Sequence, residues 1–458
     1  MMALLLNAVQ TIGAFVLALG VLVTFHEYGH YWVARKLGVK ILRFSIGFGR
    51  PLLTRRLGSD HTEFALAAIP LGGYVKMLDE REGEVAPHES HRAFNRQSVL
   101  VRSAIVSAGP LANFMLALVV YWLSYMAGVV GPKPLIGAVA AEGLAARAGL
   151  RVGDEIVGVN GQPTAIWDNV LNHAIDAILD GRALTLEVRG HALASHQVIL
   201  DFAQFSIDDV SRGDFFEKAG FEPVRTKVPA IIGKLVPGEA AALAGFAQGD
   251  LILSADGVAL TDWMDWVDLV RKHPGQALRV GVERAGQKIE LTVTPHEVND
   301  AGQVIGRIGA EVAPPPESAA PPTATERYSP LAAAERAVVR TQEVTLTTLK
   351  FLRQMIIGQA SIDNLSGPLS IAQFAGASAK LGASRFLEFL GLVSVSLAVL
   401  NLLPIPMLDG GHLIYYLIES ITRRPVPEAI QIYGQQAGLF LLLGLMGLAI
   451  YNDLMRIF

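Results

Sequence analysis

The sequence predicts a polytopic α-helical membrane protein of about four transmembrane helices, with two small α+β domains in tandem between the second and third spans. Three observations carry this. The 458-residue chain is 51% hydrophobic and only 17% charged, a composition on the membrane side of the ordinary globular range. Four stretches are apolar enough, or nearly so, to cross a bilayer, which takes about 20 residues of helix. One sequence pattern occurs twice in the long region that separates the second of these stretches from the third.

The first apolar stretch, Ala3 to Phe25, lacks a basic start and an A-x-A-like exit and runs straight into HEYGH. It therefore reads as a retained span, not a cleavable leader. The others are Val99 to Val130, Phe386 to about Pro406, and Ile432 to Tyr451. The segment from Arg35 to Arg102 is rich in Arg and Lys, and Arg423 and Arg424 lie between the last two spans. The positive-inside rule puts both in the cytosol, so both chain ends and residues 131–385 face outward.

In that outer region AARAGLRVGDEIVGVNG (Ala145 to Gly161) returns as AALAGFAQGDLILSADG (Ala241 to Gly257). Asn-Gly and Asp-Gly between apolar runs signal tight hairpins. Leu135–Val139 and Ile231–Val236 read as strands before each copy. Two copies are too few for a solenoid, so these are two separate domains, 131–227 and 228–312, which resemble bacterial tandem PDZ domains. Their grooves are expected near Ile231, Ile232 and Gly233 and near Ile308 and Gly309, where a peptide terminus could add as a strand. Ala313 to Glu326 is rich in Pro and Ala and reads as a semi-rigid linker. It begins a segment 313–385 in which Leu331 to Met355 is helical and amphipathic; membrane parts 1–130 and 386–458 complete the chain.

Composition also excludes. A net charge of -4 gives no basic footprint for nucleic acid. With no cysteine, disulfides, iron–sulfur clusters and thiolate zinc sites are ruled out, so any metal is held by histidine and carboxylate.

HEYGH supplies His26 and His30 four residues apart, on one face of a helix, with Glu27 beside them as a general base for metal-bound water. Ionisable residues at the end of an apolar span are functional candidates, because burying them is costly. A catalytic zinc takes three protein ligands and keeps a fourth position open. Asp409, in NLLPIPMLDGGH, is the acid available deep in an apolar run; Pro404 and Pro406 interrupt the helix before it. His412 is an alternative ligand, read as a supporting or surface group. His61, His88, His91, His173 and His191 lie in polar stretches without a partner at ligand spacing and read as solvated.

Together these motifs resemble the site-2 protease family: HExGH on the first span, GPxxN on the second (Gly109, Pro110, Asn113), NxxPxPxLDG on the third, and PDZ domains between. The resemblance covers almost the whole chain. It implies one Zn2+ per chain bound by His26, His30 and Asp409, Glu27 as catalytic base, and Asn401 polarising the substrate backbone near the cut. It implies a single-span transmembrane substrate, of anti-sigma-factor type and already trimmed by an upstream outer-face protease, and also remnant signal peptides. The lipid bilayer is the other partner, in a bacterial inner membrane, with the active site toward the cytosol and the PDZ pair as a size filter. Arg43 to Leu53 and Phe64 to Met77 alternate as strands; the likeness makes them a small membrane-associated β-sheet whose edge pairs with substrate through Gly72, Gly73 and Tyr74, with Pro404 and Pro406 nearby. LSGPLSIAQF (Leu365 to Phe374) also has a family counterpart but no evident chemistry.

Two rival readings make different demands. An inert membrane PDZ scaffold would tolerate Glu27→Gln, and a metal-ion transporter would show ion flux and, in many cases, inverted repeats.

Overall fold

The computed structural model describes residues 2–190, 195–211, 214–224, 228–300, 303–313, 322–361 and 365–457. His191 lies outside them, as does most of the Pro/Ala linker. Nine helices longer than eight residues organise the described part. They are α1 (Met2–Lys36), α2 (Val99–Ala127), α3 (Trp167–Asp180), α4 (Trp263–Lys272), α5 (Pro330–Ile356), α6 (Pro368–Lys380), α7 (Ala383–Asn401), α8 (Asp409–Thr422) and α9 (Glu428–Ile457).

Four of these, α1, α2, α7 and α9, contain segments long and apolar enough to cross a membrane. Half of the apolar window of α2 is buried, against 17% for α1 and α9. So α2 is the central helix, packed against α1, α5, α7 and α8. The helix α1 runs eleven residues past the expected end of its apolar stretch because no proline intervenes before Gly38. That glycine has φ 85°, and Val39 N–H donates to Ala34 O at 3.0 Å, a left-handed stop of the Schellman kind.

The two strand-like runs form β1 (Ile41–Leu57) and β2 (Thr62–Met77), which pair antiparallel but not as a plain hairpin. Ser45 lies opposite both Tyr74 and Ala65, and Thr54 opposite Ala65. Both strands thus bend to give four stretches in the order 73–77, 41–46, 62–67 and 51–57. The bends fall at Gly47, Gly49 and Gly72, all with positive φ. At Gly72 a Cβ would come within 2.3 Å of the Phe48 ring.

The repeat is visible as architecture. Gln162–Pro163, Glu155–Val159, Ala183–Arg189 and Ser195–Asp201 form a sheet in that order, and Val258–Ala259, Leu251–Ala255, Leu278–Arg284 and Gln287–Val293 form the same sheet again. Each has one long helix, α3 or α4, inserted after its second strand. Asn160-Gly161 and Asp256-Gly257 both carry positive φ at both positions, the primed turn expected of a two-residue hairpin. Each domain has its own core, around Ile156, Leu186 and Phe202 in one and Ile252, Val280 and Trp266 in the other.

The last residues of the expected linker are not coil. Thr323–Glu326 pairs antiparallel with Val129–Pro132, and the Glu326 carboxylate accepts from Ala165 N–H and Asn169 Nδ2 at 2.9–3.0 Å. The alternating Thr-Ala-Thr-Glu run has a strand edge to join, and that contact overrides the linker composition. The amphipathic segment is α5, opened by Ser329, whose hydroxyl accepts from Ala332 N–H, with Pro330 at its first position. Lys350 of α5 pairs with Asp180 of α3 at 2.9 Å, so the first of the two repeated domains rests on α5. His173, expected in solvent, is instead half-buried, and burial lowers its pKa; α5 residues Glu343, Arg336 and Arg340 face it. His61, His88 and His91 are exposed.

Leu365 to Phe374 also acquires a role. Asp453 of α9, fully buried, accepts from Gly367 N–H, Leu369 N–H, Ser370 N–H and Ser370 Oγ, and so caps α6.

Candidate metal centre

Because α1 carries HEYGH without a break, His26 and His30 leave the same face, their rings edge-on with centroids 4.9 Å apart. Asp409 arrives from the far end of the chain as the first residue of α8. The chain reverses tightly between α7 and α8 across Pro404 and Pro406. A Cβ at Gly410 would stand 2.2 Å from Leu403 O, and one at Gly411 would stand 2.3 Å from Ile405 O. Only glycine fits under those carbonyls. Asp409 does not cap its own helix: Leu408 holds the cap position, and no side chain caps α8.

Three atoms then converge. His26 Nε2 lies 3.3 Å from His30 Nε2 and 3.3 Å from Asp409 Oδ2, and His30 Nε2 lies 3.5 Å from the same oxygen. Tetrahedral zinc with bonds of about 2.0–2.1 Å requires its ligand atoms about 3.3 Å apart. The triangle therefore matches one face of a zinc tetrahedron. His30 Nδ1 donates to Ile105 O at 2.8 Å, which fixes the neutral ring with its Nε2 lone pair facing inward. Asp409 Oδ2 is buried and, among the described residues, has no hydrogen-bond partner. His26, His30 and Asp409 form the group of potential metal ligands found among the described residues, and they fit zinc.

The helix α2 forms the wall of the site. A Cβ at Gly109 would come within 2.2 Å of His30 Nε2 and 2.9 Å of His26 Cε1, so this glycine lets both rings lie against the helix. Asn113 Nδ2 is 3.2 Å from His26 Nδ1. The GPxxN spacing marked these residues but gave no role for them. Arg102 of α2 binds Glu419 of α8 at 2.6 Å and lies over the Tyr416 ring, tying together the two helices that flank the site. Nothing in the sequence pairs those two residues.

The other candidates are distributed as follows. Glu27 is half-buried, and its Cγ would be 3.0 Å from a Cβ at Gly73, so the 73–77 stretch of β2 runs alongside it. Among the described residues that stretch pairs on one side only, with 41–46. Tyr74 stacks on Phe48 and accepts from Arg43 through its hydroxyl. Asn401 is the last residue of α7, and Pro406 packs against α9 near Gly434 and Gly438. His412 stays outside the triangle, edge-on to Tyr415.

In the second of the repeated domains a cavity of about 410 Å3 opens between α4 and residues 305–311, with Trp266, Val270 and Arg271 on one wall and Ile308 and Gly309 on the other. Ile231, Ile232 and Gly233 do not line it. Ile232–Leu235 is covered by its partner strand Ala310–Val312, and Ile232 points into the core. Of the two stretches expected at a groove, Ile308 and Gly309 thus line this cavity and Ile231–Gly233 does not.

With this geometry in place, the comparisons with known proteins are direct. A model of peptidase family M50 matches residues 14–445. The regulator of sigma-E protease RseP of Escherichia coli is 40% identical over 455 residues, covering 99% of this chain and 100% of the relative. Protease RseP of Yersinia pestis is 40% identical over 459 residues, again covering 99% and 100%. A Vibrio cholerae relative with a provisional zinc-metalloprotease name is 39% identical, covering 97% of this chain and 98% of its own. Among solved structures, the PDZ domain of an SdrC-like protein from Listeria monocytogenes is 16% identical and covers 20% of this chain and 92% of its own, at a TM-score of 0.17. The family model and the full-length relatives agree: the chain belongs to peptidase family M50 and is an intramembrane zinc metalloprotease of the site-2 type.

Proposed function

We propose that one zinc ion per chain is held by His26, His30 and Asp409 and that Glu27 is the catalytic base for cleavage of a transmembrane segment. The observation that carries this is the triangle of 3.3, 3.3 and 3.5 Å between ligand atoms from opposite ends of the chain. Bound zinc supplies a water acidified toward neutral pH and a Lewis acid for the scissile carbonyl. Glu27 takes the proton of the attacking water and returns it to the leaving amine nitrogen. His30 stays in one tautomer through Ile105 O, and Asn401 polarises the substrate backbone.

A helix hides its peptide bonds, so the substrate must be extended before attack. The free edge of 73–77 beside Glu27 supports β-strand addition through Gly72, Gly73 and Tyr74. Pro404 and Pro406 keep the opposite loop out of a helix, folded in tight turns beside the site. The preferred substrate is a single-span protein of the anti-sigma-factor type, pre-trimmed outside by another protease, a reading in keeping with relatives named regulator of sigma-E protease; remnant signal peptides fit the same site. The chain sits in the inner membrane with residues 131–227 and 228–312 outside and the metal site toward the cytosol. Boundaries at 130, 227, 312 and 385 divide it.

The test is metal analysis of purified wild type and Asp409→Ala, with cleavage of a model transmembrane segment by both. The mutant should lose zinc and activity together; a mutant that keeps both removes Asp409 from the site.

A further inference from the structure

We propose that Asn113 is a positioning residue for His26: its amide oxygen accepts the Nδ1 proton and so leaves the Nε2 lone pair facing the metal position. This rests on the metal site proposed above and extends it to a helix that contributes no ligand.

Each ligating imidazole must have its second nitrogen anchored, or the ring can rotate and exchange tautomers, presenting a proton where a lone pair is required. For His30 the anchor is Ile105 O. For His26 the Asn113 amide, 3.2 Å from Nδ1, stands in the equivalent place. Ile105, Gly109 and Asn113 recur every four residues and so share one face of α2. They provide a carbonyl for one ring, room for both rings, and an amide for the other. Asn113 is fully buried, and its own backbone carbonyl accepts from Ser394 Oγ of α7 at 2.7 Å, with Ser394 equally buried. Its position is therefore set by two packed helices.

Which amide atom faces the ring follows from the chemistry. With Nε2 committed to a metal, Nδ1 carries hydrogen, and an amide N–H there would oppose it. Rotating the amide by 180° brings Oδ1 to Nδ1, an exchange that only the hydrogen-bond network decides. Oδ1, the amide atom turned away from His26, has no partner among the described residues, so no protein bond holds the opposite orientation.

Full-length Asn113→Leu, Asn113→Ala, Asn113→Asp and wild type are titrated with zinc against a chromophoric chelator in detergent, and the zinc-free proteins are melted in parallel. Leu and Ala should bind zinc about 10–100-fold more weakly, the usual effect of removing the partner of a metal-bound histidine. Asp, which restores an acceptor, should bind within about threefold of wild type. The zinc-free melting temperatures of Ala and Asp should match wild type, and if Leu does not fold, the Ala–Asp comparison decides. Wild-type affinity in Ala or Leu, or a loss in Asp equal to that in Ala, would overturn the proposal. Absence of zinc binding by wild type would instead overturn the metalloprotease site itself.

Discussion

His26 Nε2 and Asp409 Oδ2 stand 3.3 Å apart although they come from the first and the eighth of the long helices. Their meeting requires α1 and α8 to be fixed relative to each other. The helix α2, packed on both, fixes them.

Glu27→Gln should separate chemistry from binding. Glutamine keeps the size and hydrogen-bonding reach of glutamate but cannot accept the proton, so cleavage of a model transmembrane substrate should fall at least 10²–10⁴-fold. Zinc content by elemental analysis should stay at the wild-type level, because Glu27 is not in the ligand triangle.

Gly109→Ala tests the close approach of α2. The added methyl would sit 2.2 Å from His30 Nε2 and 2.9 Å from His26 Cε1, so either a ring or the helix must move. Overpacking of this kind costs about 1–3 kcal/mol. A chelator titration should show weakened zinc binding, and unchanged affinity would mean that the rings can yield.

Arg102→Gln breaks the tie between α2 and α8. The Arg102–Glu419 pair is mostly buried on both sides, and the guanidinium also covers Tyr416. Losing one partner of a partly buried pair should destabilise the protein by about 1–3 kcal/mol, below the cost for full burial. The double change Arg102→Met with Glu419→Leu should recover much of that loss in thermal unfolding, since no charge is left stranded.

The second of the repeated domains should weaken in acid. Burial tends to raise the pKa of Asp250, but two hydrogen bonds of 2.7 Å from Arg284 and one from Ala247 N–H outweigh it and hold the carboxyl below its usual value. A folded pKa below the unfolded one adds stability that is present above the unfolded pKa, near 4, and is lost as pH falls through the folded value. Asp250→Asn should therefore destabilise residues 228–312 by about 1.5–3 kcal/mol at pH 7. Hydrogen exchange of the strands at Leu251–Ala255 and Leu278–Arg284 should show the gap between mutant and wild type closing below about pH 4.

What was legible in the sequence follows from local physics. Apolar length sets which helices can span a bilayer. The Asn160-Gly161 and Asp256-Gly257 turns need positive φ, which few other residue pairs accept, so the repeat and its hairpins could be read directly. HEYGH could be read because four-residue spacing on a helix is enough to bring two imidazoles together. Of the two stretches expected at a groove, only Ile308 and Gly309 line the cavity, because an apolar run such as Ile231–Gly233 does not say which of its neighbours will cover it. The linker's last turn toward the membrane was missed because Thr323–Glu326 becomes a strand only when Val129–Pro132 offers an edge.

By itself, then, the sequence determined the apolar spans, the paired repeat domains and the ligand types, since each depends on residues close together in the chain. Only the tertiary structure decided how closely Asp409 approaches the two imidazoles, that Gly109 and Asn113 face the two rings, and that the 73–77 edge lies beside Glu27. Those relationships depend on how helices pack, and packing is set by shape complementarity between segments hundreds of residues apart, which no local pattern encodes.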